Sequence, residues 1–234
     1  ALMERLIEDN EVTLFDQHFD KQPLQYSDKK DHPNLKKITG DILDFDIISR
    51  AVQEHDIVIH MAAIVGVRRV IDMSRKTINI NFIGTSNLLR ATEGCEHIKR
   101  FIYFSTSEIF GGNSFGVDEN TASSIGSVNE ARWSYAISKL AGEHLVHAYH
   151  REMGLPTVVV RPFNIFGPKR TGDHALLQFI LAALVGRDLE VHGDGSQIRS
   201  WCYIEDFLDA VMNMIDCEDA IGQDFNIGNT RNTL

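Results

Sequence analysis

A tyrosine and a lysine four residues apart, Tyr135 and Lys139, are the residues whose types and spacing first suggest chemistry. One turn of helix would place both side chains on the same face. A free phenol has a pKa of about 10, and a nearby ammonium group favours the phenolate, which brings that pKa toward neutrality. Such a pair could remove a proton from an alcohol. A half-buried tyrosine beside a solvated lysine would give the same pattern, so the pair needs support from its surroundings.

Two hydroxyl groups and a carboxylate follow the short apolar run at residues 101–104, which predicts a buried strand. They belong to Thr106, Ser107 and Glu108. In a parallel α/β sheet, ligands bind at the carboxyl ends of the strands, so these side chains would face a crevice. A turn that caps the next helix is the alternative interpretation of the same residues.

Alternating strand and helix patterns predict the elements that must position these side chains. The predicted strands are 12–15, 57–63, 101–104 and 157–160, and the predicted helices are 45–54, 76–93 and 132–151. Strands separated by such helices indicate a doubly wound parallel sheet with right-handed crossovers. Shorter elements follow, so we predict a Rossmann-like domain at 1–163 and part of a smaller C-terminal lobe at 164–234, with strand returns to the sheet.

Composition restricts the class of protein. The 234 residues are 43% hydrophobic and 24% charged, with a net charge of −10, which disfavours a nucleic-acid partner. The three cysteines form neither a disulfide framework nor a metal-ligand pattern, so we expect no metal site. The apolar runs are shorter than the ~20 residues of a membrane helix and no signal peptide is visible. We therefore expect a cytoplasmic protein with no membrane partner.

Tyr-x-x-x-Lys, the Thr-Ser-Glu sequence, the segment RPFNIFGP at 161–168 and the segment GDGSQIRS at 193–200 together resemble the extended short-chain dehydrogenase/reductase family. That family contains NAD-dependent nucleotide-sugar epimerases, dehydratases and decarboxylases. The resemblance implies that Thr106, Tyr135 and Lys139 form the catalytic set, that NAD is the cofactor, and that a nucleotide-diphospho-sugar is the substrate. It also implies a homodimer built on helices 76–93 and 132–151. Family members have a Gly-rich motif upstream and further residues downstream, so we expect both ends to be truncated.

The resemblance also assigns binding residues. Asp16 ends a predicted strand, where an acid would bond the ribose hydroxyls of NAD and repel the 2′-phosphate of NADP, although it could equally cap a turn. The predicted cofactor-binding residues are Asp16, Asp41, Ile42, Ala62, Ala63, Tyr135, Lys139, Pro162 and Phe163. The predicted substrate-binding residues are Ser107, Asn164 and Arg199.

Two further residues are interpreted as structural. Asn81 resembles the family's asparagine that braces the strand carrying the Ser/Thr site. His60 fits a buried, hydrogen-bonded histidine better than a catalytic one.

Thr-Ser-Glu and Arg132 most resemble the UDP-glucuronate decarboxylase group. Phe110 and the segment at 67–69 depart from that group's pattern, so several reactions stay open. A 4-keto intermediate could lose carbon dioxide from C6, or Glu108 could take the C5 proton and expel water. The alternatives are a nucleotide-sugar 4-epimerase and a non-catalytic dinucleotide-binding regulator on the same fold.

Overall fold

Parallel strands build the centre of the structure, a computed structural model that describes residues 1–20, 23–112, 116–169, 174–191, 193–195, 198–229 and 232–233. The strands in these ranges are β1 (Val12–Asp16), β2 (Leu35–Thr39), β3 (Ile57–His60), β4 (Arg100–Phe104), β5 (Thr157–Pro162), β6 (Asn164–Phe166), β7 (Arg199–Tyr203), β8 (Asp224–Ile227) and β9 (Asn232–Thr233). The helices are α1 (Leu2–Leu6), α2 (Phe45–Gln53), α3 (Val67–Asp72), α4 (Ser74–Ile78), α5 (Gly84–Ala91), α6 (Ser134–Met153), α7 (Ala175–Leu184) and α8 (Ile204–Asp216).

The largest sheet has the strand order β3-β4-β5-β8, and all its pairs are parallel. Strands β1 and β2 form a separate parallel pair. The predicted α/β class with a parallel Rossmann-like sheet is therefore confirmed. Strand β3 ends at His60, before the predicted boundary at residue 63, because its register with β4 ends at the pair His60–Tyr103.

Successive residues of β4 face opposite sides of the sheet and belong to two cores. Ile102 and Phe104 pack with α8, whereas Phe101 and Tyr103 pack with residues of α2, α5 and α6. All five residues of β4 are buried, as expected for a parallel strand covered by helices on both faces. Burial on both faces makes this strand a rigid support for the polar residues that follow it.

The predicted helix at 76–93 is a continuous helical run that contains one π-helical turn, Asn79–Ile83, between α4 and α5. Such turns are frequent at functional sites. Helix α6 is the longest helix and ends at Gly154, whose positive φ of 70° suits a left-handed C-terminal cap. Within α6, a Cβ at Gly142 would collide with the hydroxyl of Tyr103, so a glycine here allows the helix to lie close to β4.

The C-terminal part of the chain contributes to two sheets. Strands β6 and β7 pair in parallel and β9 pairs with β7 antiparallel, whereas β8 returns to β5. The division into a Rossmann-like domain and a C-terminal lobe at residue 163, with strand returns to the sheet, stays a prediction. In the part of the chain that the structure describes, no helix is both long enough and apolar enough to cross a membrane.

Candidate active site

Tyr135 and Lys139 lie in the first turns of α6, beside the carboxyl end of β4. The Lys139 side chain is only 1% exposed, and its Nζ donates a hydrogen bond of 2.6 Å to the carbonyl oxygen of Phe104. The same nitrogen lies 4.8 Å from the centre of the Tyr103 ring, a cation–π contact. Lys139 is therefore held at the end of β4 by a carbonyl and an aromatic face.

Thr106 is buried two residues beyond β4 and caps the 3₁₀ helix Ser107–Phe110. Its Oγ1 accepts a hydrogen bond of 3.2 Å from the backbone N–H of Glu108, and its side chain is hydrogen-bonded to that of Tyr135. The turn-capping interpretation and the proximity to Tyr135 are therefore both correct. The structure brings Thr106, Tyr135 and Lys139 together from two elements.

Burial dominates the electrostatics of this group. It raises the pKa of Tyr135 to about 12, against the lowering effect of the hydrogen bond with Thr106, while the charge of Glu108 raises it further. It also lowers the pKa of Lys139 to about 7, against the charge of Glu143. The expectation that the cation brings the Tyr135 pKa toward neutrality is wrong, because desolvation outweighs it and the ammonium is turned to Phe104.

Glu108 lies half-buried in the same 3₁₀ helix, next to half-buried Ser107. Burial raises the pKa of its carboxyl group, and the positive charge of Arg132 lowers it. The Arg132 guanidinium stacks over the Trp133 ring at 4.3 Å, just before α6 begins. A cation and a carboxyl group therefore flank the Thr106–Tyr135 pair.

Asn81 occupies the π-helical turn and is fully buried. Its Oδ1 accepts from the N–H of Ile64 at 2.8 Å, and its Nδ2 donates to the Ile64 carbonyl at 3.2 Å and to Ser138 Oγ at 3.1 Å. It thus links the segment after β3 to α6. The prediction that Asn81 braces β4 is wrong, because its side-chain amide is hydrogen-bonded to the backbone N–H and carbonyl of Ile64.

His60 is a core histidine, as the sequence analysis preferred. Its Nε2 lies 2.8 Å from Thr85 Oγ1, and its ring contacts that of Tyr103. Burial, with a smaller effect from the Lys139 charge, lowers the pKa of His60 to about 3.

The residues predicted to bind the cofactor lie along the carboxyl ends of β1, β2 and β3. Asp16 is the last residue of β1 and its Oδ1 accepts from the N–H of His18 at 2.9 Å, whereas Asp41 accepts from Leu43 in a turn after β2. Ile42 is buried in the core.

After β3, Ala62 is exposed and Ala63 is half-buried. A cavity of about 460 Å³ reaches from Asp16 to the neighbouring Met61 and is also bounded by α1 and the segment 165–169. Thr106, Glu108, Tyr135 and Lys139 do not line this cavity.

The remaining predicted residues lie on β5, β6 and β7. Pro162 ends β5, and the next residue, Phe163, donates its N–H to Ile227 of β8 at 2.9 Å. Asn164 begins β6, and its Nδ2 is 3.4 Å from the carbonyl oxygen of Ser200. Arg199 begins β7 and is exposed.

Four polar residues of a buried network behind Lys139 were missed at the sequence level. Arg161 Nε and Nη2 donate to both carboxylate oxygens of Glu143 at 2.7–3.2 Å, and Nη2 also donates to Asp224 at 2.5 Å. The Nε2 atom of His147 lies 2.7 Å from the other oxygen of Asp224. Glu143 and His147 continue the four-residue spacing of Tyr135 and Lys139, and that periodicity is the signal that could have revealed them.

The family model that describes the NAD-dependent epimerase/dehydratase family matches residues 1–228. A UDP-N-acetyl-alpha-D-glucosaminuronate decarboxylase of Bacillus cytotoxicus is 39% identical over 198 residues, which are 83% of this chain and 60% of the relative. A dTDP-D-glucose 4,6-dehydratase of Dictyostelium discoideum is 32% identical over 207 residues, covering 83% of this chain and 46% of that protein. The chain thus spans 60% or less of the length of these two curated relatives.

A solved structure shows the same architecture. The UDP-glucuronic acid 4-epimerase of Bacillus cereus, in complex with UDP-glucuronic acid and NAD, superposes with a TM-score of 0.86 and 29% identity, over 99% of this chain and 74% of that one. With the family model matching nearly the whole sequence, the conclusion is direct: this chain belongs to the NAD-dependent epimerase/dehydratase family.

Proposed function

We propose that the protein is an NAD-dependent enzyme that modifies a nucleotide-diphospho-sugar through a 4-keto intermediate, with decarboxylation or dehydration at C5/C6. The observation that carries this proposal is the hydrogen-bonded pair Thr106–Tyr135 beside the buried ammonium of Lys139, at the carboxyl end of a central parallel strand. Such an edge is where ligands of this fold class bind. A non-catalytic regulator would not require a phenol, a hydroxyl and an ammonium group at one point.

The residues at the β1 and β3 ends fit a dinucleotide. The small side chains of Ala62 and Ala63 after β3 leave room for a flat ligand against the backbone. When bound, NAD would accept the hydride from C4 of the sugar. Asp16 would accept hydrogen bonds from the ribose hydroxyls of NAD and would repel the 2′-phosphate of NADP. NAD should therefore bind more tightly than NADP. Titration with both dinucleotides tests this preference, and equal affinities would contradict the role of Asp16.

The chain's own groups would manage the proton of the sugar 4-hydroxyl. Tyr135 Oη would take that proton as hydride leaves C4. The Thr106 hydroxyl would hold the phenol oxygen in place through its hydrogen bond to Tyr135. Lys139 would supply positive charge behind the phenol. Because the pKa of Tyr135 is about 12, only a small fraction is ionised at neutral pH, so the rate should rise with pH until Lys139 begins to lose its proton near pH 7.

The second step depends on the C6 group. If C6 is a carboxylate, the 4-ketone makes the sugar a β-keto acid, which loses carbon dioxide and leaves a carbanion at C5 for reprotonation. If C6 carries a hydroxyl, Glu108 would remove the C5 proton while hydroxide leaves from C6. Arg132 beside Glu108, with Ser107 and Arg199, offers hydrogen-bond donors for a carboxylate, which favours the decarboxylase.

A nucleotide-sugar 4-epimerase is the second candidate, supported by the structural similarity to the Bacillus cereus epimerase. Mass spectrometry separates these activities after incubation of the full-length protein and NAD with UDP-, dTDP-, GDP- and CDP-sugars. Loss of carbon dioxide or water supports the leading proposal. A product of unchanged mass supports epimerisation.

Glu108→Gln then distinguishes the reactions in a single turnover followed at the NADH absorbance band. In a dehydratase the variant should accumulate NADH and the 4-keto sugar, because the C5 base is lost. In a decarboxylase carbon dioxide should still leave, with reprotonation or substrate placement impaired. An unchanged rate with a product of unchanged mass would contradict chemistry at C5.

We also propose a homodimer that forms on the helical run α4–α5 and on α6. Apolar side chains on this side are exposed, including Ile78, Ile83 and Ile137. Other apolar side chains of the same helices, Leu89, Ala136 and Val146, are buried within the protein. A sedimentation profile of a pure monomer at micromolar concentration would contradict the dimer. A cytoplasmic location stays a prediction.

A further inference from the structure

Four polar side chains recur at every fourth position of α6: Tyr135, Lys139, Glu143 and His147. Residues at this spacing lie on one helix face, with about 5–6 Å between neighbouring Cβ atoms. The stripe starts at the proposed site and runs under the sheet to β8, where His147 meets Asp224. Only its first two members have a role in the proposed reaction.

Glu143, the third member of the stripe, is a buried carboxylate, 3% exposed. Burial of a carboxylate is costly unless it is paired, and Arg161 pairs with it through a bidentate contact from Nε and Nη2. The guanidinium is itself fixed, because Nη1 donates to the Glu119 carbonyl at 3.0 Å and Nη2 donates to Asp224. Glu143 therefore has one orientation.

The surroundings of Lys139 contain few groups that could balance its charge. The carbonyl of Phe104 and the ring of Tyr103 contact Nζ, and neither carries a formal charge. His60, on β3, is neutral over the physiological range because burial lowers its pKa to about 3. Tyr135, the other titratable neighbour on α6, is also neutral, because its pKa is raised. Of the described acidic groups, Glu143 is the one whose negative charge acts on the ammonium.

We propose that Glu143, held by Arg161, is a positioning residue that keeps Lys139 protonated and directed at the end of β4. The inference rests on the proposed function, because the importance of a charged Lys139 follows from its place behind Tyr135. Without the carboxylate, the Phe104 carbonyl and the Tyr103 ring are the described groups left to offset the desolvation of the ammonium. Lys139 would then lose its proton at a lower pH, and the proposed site would lose the positive charge behind Tyr135.

The test compares Glu143→Gln with Asp224→Asn in full-length protein. Each variant removes one carboxylate partner of Arg161 and keeps the side-chain shape, but only Glu143 acts on Lys139. The direct readout is the titration of Lys139 by NMR of protein labelled with ¹³C at lysine Cε, with its signal identified from Lys139→Arg. Exposed lysines titrate at about 10.4, so a buried lysine with a pKa near 7 is resolved from them.

In Glu143→Gln, the Lys139 midpoint should fall by about one pH unit or more, as expected for loss of an opposite charge within a few ångströms. In Asp224→Asn it should stay near the wild-type value. Single-turnover NAD reduction at pH 7 should fall about fivefold in Glu143→Gln, because the protonated fraction of Lys139 drops from about one half to about one tenth, and the pH at which the rate stops rising should move to lower pH. Equal midpoints in the two variants, or no change in either, would overturn the proposal.

If Glu143→Gln does not fold, Glu143→Asp replaces it. This variant keeps a carboxylate but draws it back by one methylene, so the Lys139 midpoint should move down by a smaller amount. An unchanged midpoint there would also overturn the proposal. The NMR titration requires no turnover, so absence of NAD reduction with every nucleotide-sugar would contradict the proposed function alone.

Discussion

Helices α6 and α7 show opposite relations between composition and burial. Helix α6 carries buried Lys139, Glu143 and Ser138, whereas the strongly apolar α7, with the sequence ALLQFILAAL, has no buried residue. The buried polar residues of α6 lie against the sheet. Strands β4 and β5 supply their partners there: a carbonyl group, an aromatic ring and a guanidinium group. Contact with the sheet therefore accounts for the buried polar residues of α6, although this helix is much less apolar than α7.

The largest expected effect concerns the rate of the proposed reaction. Tyr135→Phe removes the phenol and keeps the ring, so turnover should fall by ~10²-fold or more while NAD binding stays close to wild type. Steady-state kinetics and a dinucleotide titration measure the two quantities. Turnover near the wild-type rate would show that Tyr135 of α6 takes no essential part in the reaction.

A large effect on stability is expected at the buried network behind α6. Arg161→Met would leave Glu143 and Asp224 without their shared cation, which should lower the free energy of unfolding by ~3–5 kcal/mol in urea titrations. Arg5→Met is the matched control, because Arg5 also pairs with two carboxylates, Glu205 and Asp209, but at the surface. Its effect should be much smaller. Equal losses would mean that burial does not distinguish the two networks.

Substrate affinity should depend on the predicted C-terminal lobe, the part of the chain that includes α7 and Arg199. Arg199→Gln removes a guanidinium proposed to bind an anionic group of the substrate, so KM should rise about tenfold or more, the usual effect of a lost charge-assisted hydrogen bond, while kcat changes little. Steady-state kinetics with the native nucleotide-sugar give both constants. A fall in kcat with KM unchanged would place Arg199 with the chemistry of α6 instead.

The smallest effect is expected on α7 itself. Leu184 is 76% exposed, so Leu184→Ala should change the free energy of unfolding of this chain by less than about 0.5 kcal/mol. Val146 on α6 is fully buried, and Val146→Ala should cost about 2 kcal/mol because it removes core contacts and leaves a cavity. Thermal or urea unfolding compares them. A larger loss at Leu184 would show that another surface covers α7.

Local patterns were reliable guides to the fold. The β-branched runs predicted β4 and β5, and the spacing of apolar residues predicted α2 and α6, because these patterns express the strand and helix periods directly. The π-helical turn that contains Asn81 was not predicted, because the spacing of apolar residues along the sequence does not reveal a local change in the backbone hydrogen bonds. The antiparallel contact of β7 with the short strand β9 was missed for a related reason: pairing of short strands depends on what lies beside them.

The sequence by itself determined the Tyr135–Lys139 spacing, the hydroxyls after β4 and membership of the family, because these depend on residue types and on distances along the chain. Tertiary structure alone decided which groups titrate together. Arg161 and Asp224 are 63 residues apart, and they meet only because β8 pairs with β5. Desolvation also arises only when helices cover the sheet. The protonation of Lys139 is therefore a property of the assembled core, which no local pattern contains.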